Sequence, residues 1–296
     1  MKIRLLSLAA ALFAAVTFVA ATDAQERKTD KKAKILHFTR SSSEGHGPAR
    51  MQEDGTTISG SALKTFCNDH GIELVESHDG RIFDGDVSEF DAFVFYTTGG
   101  LQDENTKIPT MRPMSEDGIK KLIAAVRSGK GFVGIHSATD THCKLRIDGR
   151  DPYVAMSGGR FCGHGPSQFM TIKAVEPIEV PWLKKLNGEF TAHDEWYAMR
   201  EFNPDMHVVY AMQTAQLFPH PENLKHYGRA DFPLCWIRME GKGRVAYTPQ
   251  GHDDKFWWNK ENVRRVGEFV LWSLGRFDMD TTPNIEKVCP GYAEKQ

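Results

Sequence analysis

Apolar residues in the first half of the chain come in short runs separated by amphipathic segments. Runs typical of strands occupy residues 33–39, 72–77 and 90–97, and a fourth, GFVGIH, occupies residues 131–136. The third run is almost continuously apolar, which is typical of a parallel strand covered on both faces. This pattern predicts a sheet buried between two layers of helices.

Two segments between these runs have the apolar spacing of helices. The first, residues 58–70, ends before Gly71, a residue well suited to a helix C-terminus. The second follows Ser115, a favourable N-cap, and ends at Gly129. The order of strands and helices predicts an α/β fold with a doubly wound, mostly parallel sheet flanked by helices and joined by right-handed crossovers.

The pattern becomes less regular after residue 150. Four strand candidates, FMTIKAV, HVVYAM, LCWIRM and RVAYTP, are separated by long loops, and a closing helix is predicted over residues 259–275. We expect added strands on the same sheet, with long loops, rather than a second domain. The prediction is therefore one domain over residues 33–276, followed by a C-terminal tail over residues 277–296.

The N-terminal segment has the pattern of an export signal. Lys2 and Arg4 precede an apolar run that ends in the small-x-small triplet TDA. We predict a signal peptide over residues 1–24 and a charged, flexible leader over residues 25–32, which implies a periplasmic or secreted protein. A retained membrane anchor is the alternative, although the Ala-rich run is barely long enough to span a bilayer. No later segment is predicted to span a membrane.

Charge and cysteine content narrow the possible functions. The chain has 37 basic and 39 acidic residues, a formal net charge of -2, which does not indicate a nucleic-acid partner. Its five cysteines include no C-x-x-C pair, which argues against a zinc ribbon or a thioredoxin-like site. One or two disulfides are possible in an oxidising compartment, with Cys143 and Cys162 closest in sequence. A homo-oligomer is possible.

Candidate functional residues are concentrated where predicted strands end. In open parallel α/β sheets, ligands bind outside the carboxyl ends of the strands. Histidine and acidic residues cluster at or near these positions: His46, His136, Asp140, His164, Asp194, Glu195, His252 and Asp253. The first-strand loop RSSSEGHG lacks the G-x-G-x-x-G order, so no tightly bound NAD is predicted.

The glycine-rich segment MSGGRFCGHG contains four glycines, which favour tight bends. Such a loop could hold an anion on its backbone N–H groups, aim His164 into the crevice, or be a purely structural Ω-loop.

Four ordered motifs resemble the trehalose-utilisation (ThuA-like) family, whose fold is similar to that of class I glutamine amidotransferases. The motifs are GFVGIHSATD, GGRFCGHG, HDEWY and CWIRMEGKGRVAYTPQGHDDKFW, and the resemblance runs from about residue 34 to residue 275. It implies a flavodoxin-like sheet and an association with the catabolism of sugars and oxidised (3-keto) glycosides. His46 lies in a longer Ser/Gly loop than the usual family turn after the first strand.

The comparison with amidotransferases also indicates which chemistry is missing. Those enzymes need a thiolate at the bend after the buried strand, where this chain has His136. The adjacent Ser137 is one residue from the bend, and the G-x-S-x-G pattern is absent. We therefore do not expect glutaminase activity.

Two mechanisms remain open for His136, His164, Glu195 and His252. As general acids and bases they would act near neutral pH, with carboxylates fixing the imidazole tautomers. As ligands they would bind a divalent metal such as Zn²⁺ or Mn²⁺, which would polarise a carbonyl or hydroxyl group.

A small carbohydrate is the expected substrate, because aromatic side chains near the motifs suit the C–H faces of a pyranose. Trp236 and at least one of Trp257 and Trp258 are expected to fill the core instead. The predicted substrate-binding residues are His46, Asp140, Asp194, Trp196, Tyr197 and Asp253. The alternative is a non-catalytic sugar-binding or scaffold protein with a degenerate amidotransferase-like crevice.

Overall fold

A computed structural model describes residues 32–175, 180–221, 225, 227–228 and 231–293. The predicted signal peptide and residues 25–31 of the leader lie outside these ranges. From Lys32 onward the chain forms one compact unit. No helix within the described ranges is long and apolar enough to cross a membrane.

The helices and strands alternate in the first half of the chain, and strands dominate the second. The strands are β1 Ala33–Phe38, β2 Ile72–Ser77, β3 Ala92–Phe95, β4 Gly99–Gly100, β5 Gly131–Ile135, β6 Thr141–His142, β7 Arg160–His164, β8 Gln168–Ala174, β9 Glu189–Asp194, β10 Tyr197–Arg200, β11 His207–Gln213, β12 Asp231–Glu240 and β13 Gly243–Thr248. The helices are α1 Ile58–Asp69, α2 Glu116–Arg127, α3 Pro152–Ser157, α4 Pro181–Lys185, α5 Asp254–Trp258, α6 Lys260–Ser273 and α7 Ile285–Val288.

The main sheet has nine strands in the order β2-β1-β3-β5-β13-β12-β11-β8-β9. The first five are parallel, with β5 between β3 and β13. The remaining four strands are antiparallel to their neighbours. The predicted doubly wound α/β fold with added strands is confirmed.

Each face of the parallel strands packs against its own pair of helices. In β5, Val133 and Ile135 belong to the apolar cluster that contains residues of α1 and α6. Phe132 belongs to the opposite cluster, which contains residues of α2 and α3. Since successive side chains of a strand point to opposite faces, strands this apolar need cover on both sides.

The predicted ends of α1 and α2 are confirmed by their caps. Thr57 accepts a hydrogen bond from Gly60 N (2.8 Å), and Ser115 accepts one from Gly118 N (2.9 Å). Gly71 and Gly129 follow the helices with φ values of +66° and +126°, which favour glycine. Each side-chain cap is expected to contribute about 1 kcal/mol to helix stability.

The C-terminal half contains more regular structure than the sequence indicates. The glycine-rich segment forms β7, and the segment around Glu195 joins β9 to β10. Gly158 ends α3 with φ +103°, and a Cβ atom there would lie 2.5 Å from Trp236 Nε1. Gly158 therefore allows the helix to end, and Gly158 and Gly159 together allow Trp236 to pack closely against the backbone. The segment forms neither a tight anion-binding loop nor an Ω-loop.

Residues 277–293 pack against the domain instead of extending from it. Asn284 accepts a hydrogen bond from Val208 N (2.6 Å) and donates one to Val208 O (3.1 Å), which fastens this segment to β11.

The Cys143–Cys162 disulfide is not formed. Cys143 is a buried thiol, and its Sγ lies 3.1 Å from Asp151 Oδ1. Burial raises the pKa of the Cys143 thiol to about 12.

A buried histidine in β1 makes stability depend on pH. His37 is fully buried against α1, and its Nε2 lies 2.9 Å from Ser59 Oγ. Burial lowers the pKa of His37 to about 4 from an ordinary value of 6.5. The unfolded chain therefore takes up a proton at this residue before the folded chain does, so stability is lost as pH falls from about 6.5 to about 4.

We predict that His37→Gln makes stability less sensitive to acid. Between pH 7 and pH 5 the wild type should lose about 2 kcal/mol more unfolding free energy than the variant. Urea unfolding followed by circular dichroism at the two pH values measures this difference. Equal losses for the two proteins would contradict the assignment of the buried, neutral imidazole.

Candidate functional site

The site is built around a sharp bend at the end of β5. The strand ends at Ile135, and His136 has a φ of +47°, a left-handed conformation that is uncommon for residues other than glycine. A short 3₁₀ turn, His136–Asp140, follows. A left-handed residue with a side chain costs roughly 1–2 kcal/mol, and such strain is concentrated at functional sites.

Hydrogen bonds fix the ring and backbone of His136. Its Nδ1 lies 2.8 Å from Pro249 O, and a carbonyl only accepts, so Nδ1 carries the hydrogen. In the neutral ring, Nε2 then keeps its lone pair, and it lies 2.7 Å from the Tyr197 hydroxyl. Tyr247 donates to His136 O at 2.8 Å. The residue is therefore held from β13 and β10 in one tautomer and one orientation.

Within the described part of the chain, one group of histidine and acidic side chains could hold a metal ion. It consists of His46, His136, Glu195 and His252, and one potential ligand atom from each lies within 4.8 Å of all the others. Glu195 Oε2 lies 3.1 Å from His252 Nδ1 and 3.6 Å from His136 Nε2. The group brings together loops that follow β1, β5, β9 and β13.

The two separations measured from Glu195 Oε2, 3.1 and 3.6 Å, are close to those around a tetrahedral metal ion. Ligand atoms about 2.1 Å from a tetrahedral Zn²⁺ lie about 3.4 Å from one another. His252 Nδ1 is buried and, despite the short distance to Glu195, makes no well-aligned hydrogen bond. The protonated Nδ1 of His136, hydrogen-bonded to a carbonyl, is the arrangement that usually orients a metal-ligating imidazole.

The electrostatics of the group favour an anionic carboxylate among neutral and cationic rings. Burial alone would raise the pKa of Glu195, but the imidazoles of His136, His252 and His164 together lower it below its ordinary range. The Glu195 carboxylate raises the pKa of His252. Burial, aided by the neighbouring imidazoles, lowers the pKa of His46 to about 3, so its lone pair is available at neutral pH.

Two of the predicted acidic residues lie beside the group. Asp194 is 2% exposed, accepts hydrogen bonds from Gly251 N and Glu195 N (both 2.9 Å), and so positions the loops that carry Glu195 and His252. Burial raises the pKa of Asp194. Asp140 is half-buried at the end of the 3₁₀ turn, and burial raises its pKa as well. Asp194 is thus a positioning residue, because no face of it is open to a substrate.

His164 lies next to the group of four and outside it. Its Nε2 is 3.6 Å from Glu195 Oε2, and its side chain is 33% exposed. The pairing of β7 with β10 places it opposite Tyr197. The structure therefore brings His46, predicted as a substrate-binding residue, into the group, and leaves His164 at its edge.

The structure corrects the expected sugar-stacking role of HDEWY. The Trp196 indole is 1% exposed and donates to Gln168 O (2.8 Å), so it has no free face for a sugar. Tyr197 is also buried and reaches His136 through its hydroxyl. The expected burial of Trp236 and Trp257 is confirmed, at 0% and 3% exposure.

A cavity of about 680 Å³ opens beside the group, within the size range of small-molecule sites. His46 and His252 line it, together with Asp253, Thr98 and Trp258. The predicted substrate-binding position of Asp253 is consistent with this placement. Ser137 is fully buried and its Oγ accepts a hydrogen bond from Thr98 (2.8 Å), so it offers no displaced nucleophile.

Some supporting contacts were not anticipated from the sequence. Tyr96 and Trp257 both donate to Gly251 O, at 2.7 and 3.0 Å, and fix the loop before His252. The Pro249 carbonyl is a backbone group, and no side-chain pattern could have identified it. Consecutive residues of a helix point in different directions, so the sequence could have indicated that Trp257 and Trp258 are not both buried.

The strain at His136 leads to an unusual stability order. We predict that the free energy of unfolding of His136→Gly is about 1 kcal/mol larger than that of His136→Ala. Both variants lose the imidazole, but only glycine relieves the left-handed strain. Ala138→Gly, at a residue of the same turn with negative φ, is the control and should be destabilising. Urea unfolding measures all three, and an alanine variant as stable as the glycine variant would contradict the strain.

Comparison with known proteins agrees with this architecture. A family model described as trehalose utilisation (ThuA) matches residues 43–272. A ThuA-like protein structure from Parabacteroides merdae ATCC 43184 is 16% identical, with a TM-score of 0.58, and covers 88% of this chain and 97% of its own. Another from Bacteroides uniformis ATCC 8492 is 19% identical, with a TM-score of 0.54, and covers 80% and 90%. No curated protein matches in sequence. The chain belongs to the ThuA family.

Proposed function

We propose that this protein is a metal-dependent enzyme that acts on a carbohydrate, and specifically on oxidised (3-keto) glycosides. The observation that carries the proposal is the convergence of His46, His136, Glu195 and His252 on one point beside an open cavity. Histidines dispersed over the surface would have favoured a scaffold. The trehalose-utilisation description of the family supports a sugar as substrate.

A metal accounts for this group better than acid–base chemistry alone. His46 is held neutral by burial, and the buried Nδ1 of His252 has no aligned partner. The lone pair on His136 Nε2 would exchange its hydrogen bond from the Tyr197 hydroxyl for the metal. Three imidazoles and one carboxylate are a suitable ligand set for Zn²⁺ or Mn²⁺, and binding of the metal would displace any proton on the His252 ring. A metal bound there would polarise a sugar carbonyl at C3.

The proton transfer is assigned to His164, which lies beside the group and is partly exposed. A carbonyl at C3 acidifies the hydrogen at C2, and the imidazole takes that proton. The C1–C2 double bond forms as the C1–O bond breaks, and the imidazolium returns the proton to the departing oxygen. No oxidant, reductant or covalent intermediate is required, in agreement with a bend that carries histidine instead of cysteine.

Metal analysis is the first test. We expect about one Zn²⁺ or Mn²⁺ per purified chain, and at least about tenfold weaker binding after His252→Ala or Glu195→Gln. His193→Ala is the matched control, because His193 is exposed and only two residues from Glu195. Elemental analysis and titration calorimetry measure the metal, and circular dichroism checks folding. Equal losses in the control, or no metal after reconstitution, would overturn the metal assignment.

Turnover is the second test. The metal-loaded protein should convert a 3-keto-glucoside and leave the unoxidised glucoside unchanged, and a chelator should abolish turnover until metal is restored. His164→Gln should lower kcat by about 100-fold and keep the metal, because general acid–base catalysis contributes roughly that much. Binding of the sugar without turnover would instead support the non-catalytic sugar-binding alternative.

Export is part of the proposal and rests on residues 1–24, outside the described ranges. In a Gram-negative host, we expect the mature chain in the periplasmic fraction, with an N-terminus near Gln25. Mass spectrometry of the purified chain measures that terminus. A full-length chain in the membrane fraction would support the retained anchor.

A further inference from the structure

A large aromatic side chain is exposed at the edge of the catalytic cavity. Trp258 is 69% exposed, whereas the adjacent Trp257 is 3% exposed. Trp258 lines the same cavity as His46 and His252. The position of the indole on the wall of a cavity, beside two histidines of the group, is what points to a ligand, because aromatic side chains commonly line small-molecule sites.

The backbone around Trp258 is firmly held. Helix α5, Asp254–Trp258, is anchored by the buried side chains of Phe256 and Trp257, and Trp257 Nε1 donates to Gly251 O. Asn259 then caps α6 by accepting from Glu261 N at 2.9 Å. Since α5 starts two residues after His252, the indole is linked to the metal-site loop by a short, fixed segment.

The surroundings of the indole have the chemistry of a sugar subsite. Asp253, Asp254 and Lys255 line the cavity with it and provide acceptors and donors for hydroxyl groups. An aromatic face covers the C–H face of a pyranose, and charged groups around it bind the hydroxyls. The cavity volume of about 680 Å³ exceeds that of one pyranose ring.

We propose that Trp258 forms a leaving-group subsite, so that the substrate is a glycoside whose aglycone is itself a ring, such as a second sugar. This inference rests on the proposed function, which places the reacting 3-keto ring at His46, His136, Glu195 and His252. The leaving ring lies against the indole, and Asp253 and Asp254 bind its hydroxyls. Trp258 thus determines which glycosides are accepted and takes no part in proton transfer.

The experiment compares two substrates with the same reacting ring. One is a methyl 3-keto-glucoside, and the other is a 3-keto-disaccharide with a glucosyl leaving group. Trp258→Ala should lower the ratio of kcat/KM for the disaccharide over the methyl glucoside about tenfold, and Trp258→Phe should lower it less. Phe169→Ala is the control, because Phe169 is 71% exposed and does not line this cavity. It should leave the ratio unchanged.

The outcomes separate this subsite from the proposed function. If both substrates are turned over and Trp258→Ala leaves the ratio unchanged, the subsite is overturned and the proposed function stands. If neither is turned over, calorimetry with the same two sugars decides. Tighter binding of the disaccharide that is lost in Trp258→Ala supports the subsite without the catalysis, and equal or absent binding overturns it.

Discussion

The hydrogen bond from His136 Nδ1 to the Pro249 carbonyl is the contact on which the site depends. It joins the bend after β5 to the loop after β13, two strands that are adjacent and parallel in the sheet. It also selects the tautomer in which Nε2 carries the lone pair, which accepts a hydrogen bond from the Tyr197 hydroxyl, while Tyr247 donates to the backbone carbonyl of His136. The pairing of β5 with β13 thus brings the two loops together, and the left-handed bend sets the direction of the His136 ring.

The rest of the site is arranged by a second set of contacts around Gly251. Asp194 accepts from its N–H, and Tyr96 and Trp257 donate to its carbonyl. These contacts set the loop that carries His252 against the loop that carries Glu195. The amidotransferase-like bend therefore remains, but it carries His136 instead of a thiolate, and histidine and acidic side chains surround it. The proposed carbonyl chemistry rests on this replacement.

The sequence indicated which histidines belong to the site, but it did not indicate correctly which of them lie together. His136, Glu195 and His252 were all expected to be neighbours, because each follows or adjoins a predicted strand end. His46 and His164 exchanged places relative to the expected ligand set, since the loop after β1 folds back over the bend while β7 pairs with β10 and holds His164 at the edge. Trp196 was misjudged because a residue next to a functional carboxylate can still point into the core.

The sequence by itself determined the α/β class, the ends of α1 and α2, the added strands and the absence of a thiolate at the bend. These follow from local spacing, caps and glycine positions, which act over a few residues. The tertiary structure decided which imidazoles converge, which carboxylate is a positioning group and which tryptophan faces the cavity. Those features depend on contacts between residues more than fifty positions apart, such as His136 with Pro249 and Asp194 with Gly251, and on burial, and no local pattern encodes them.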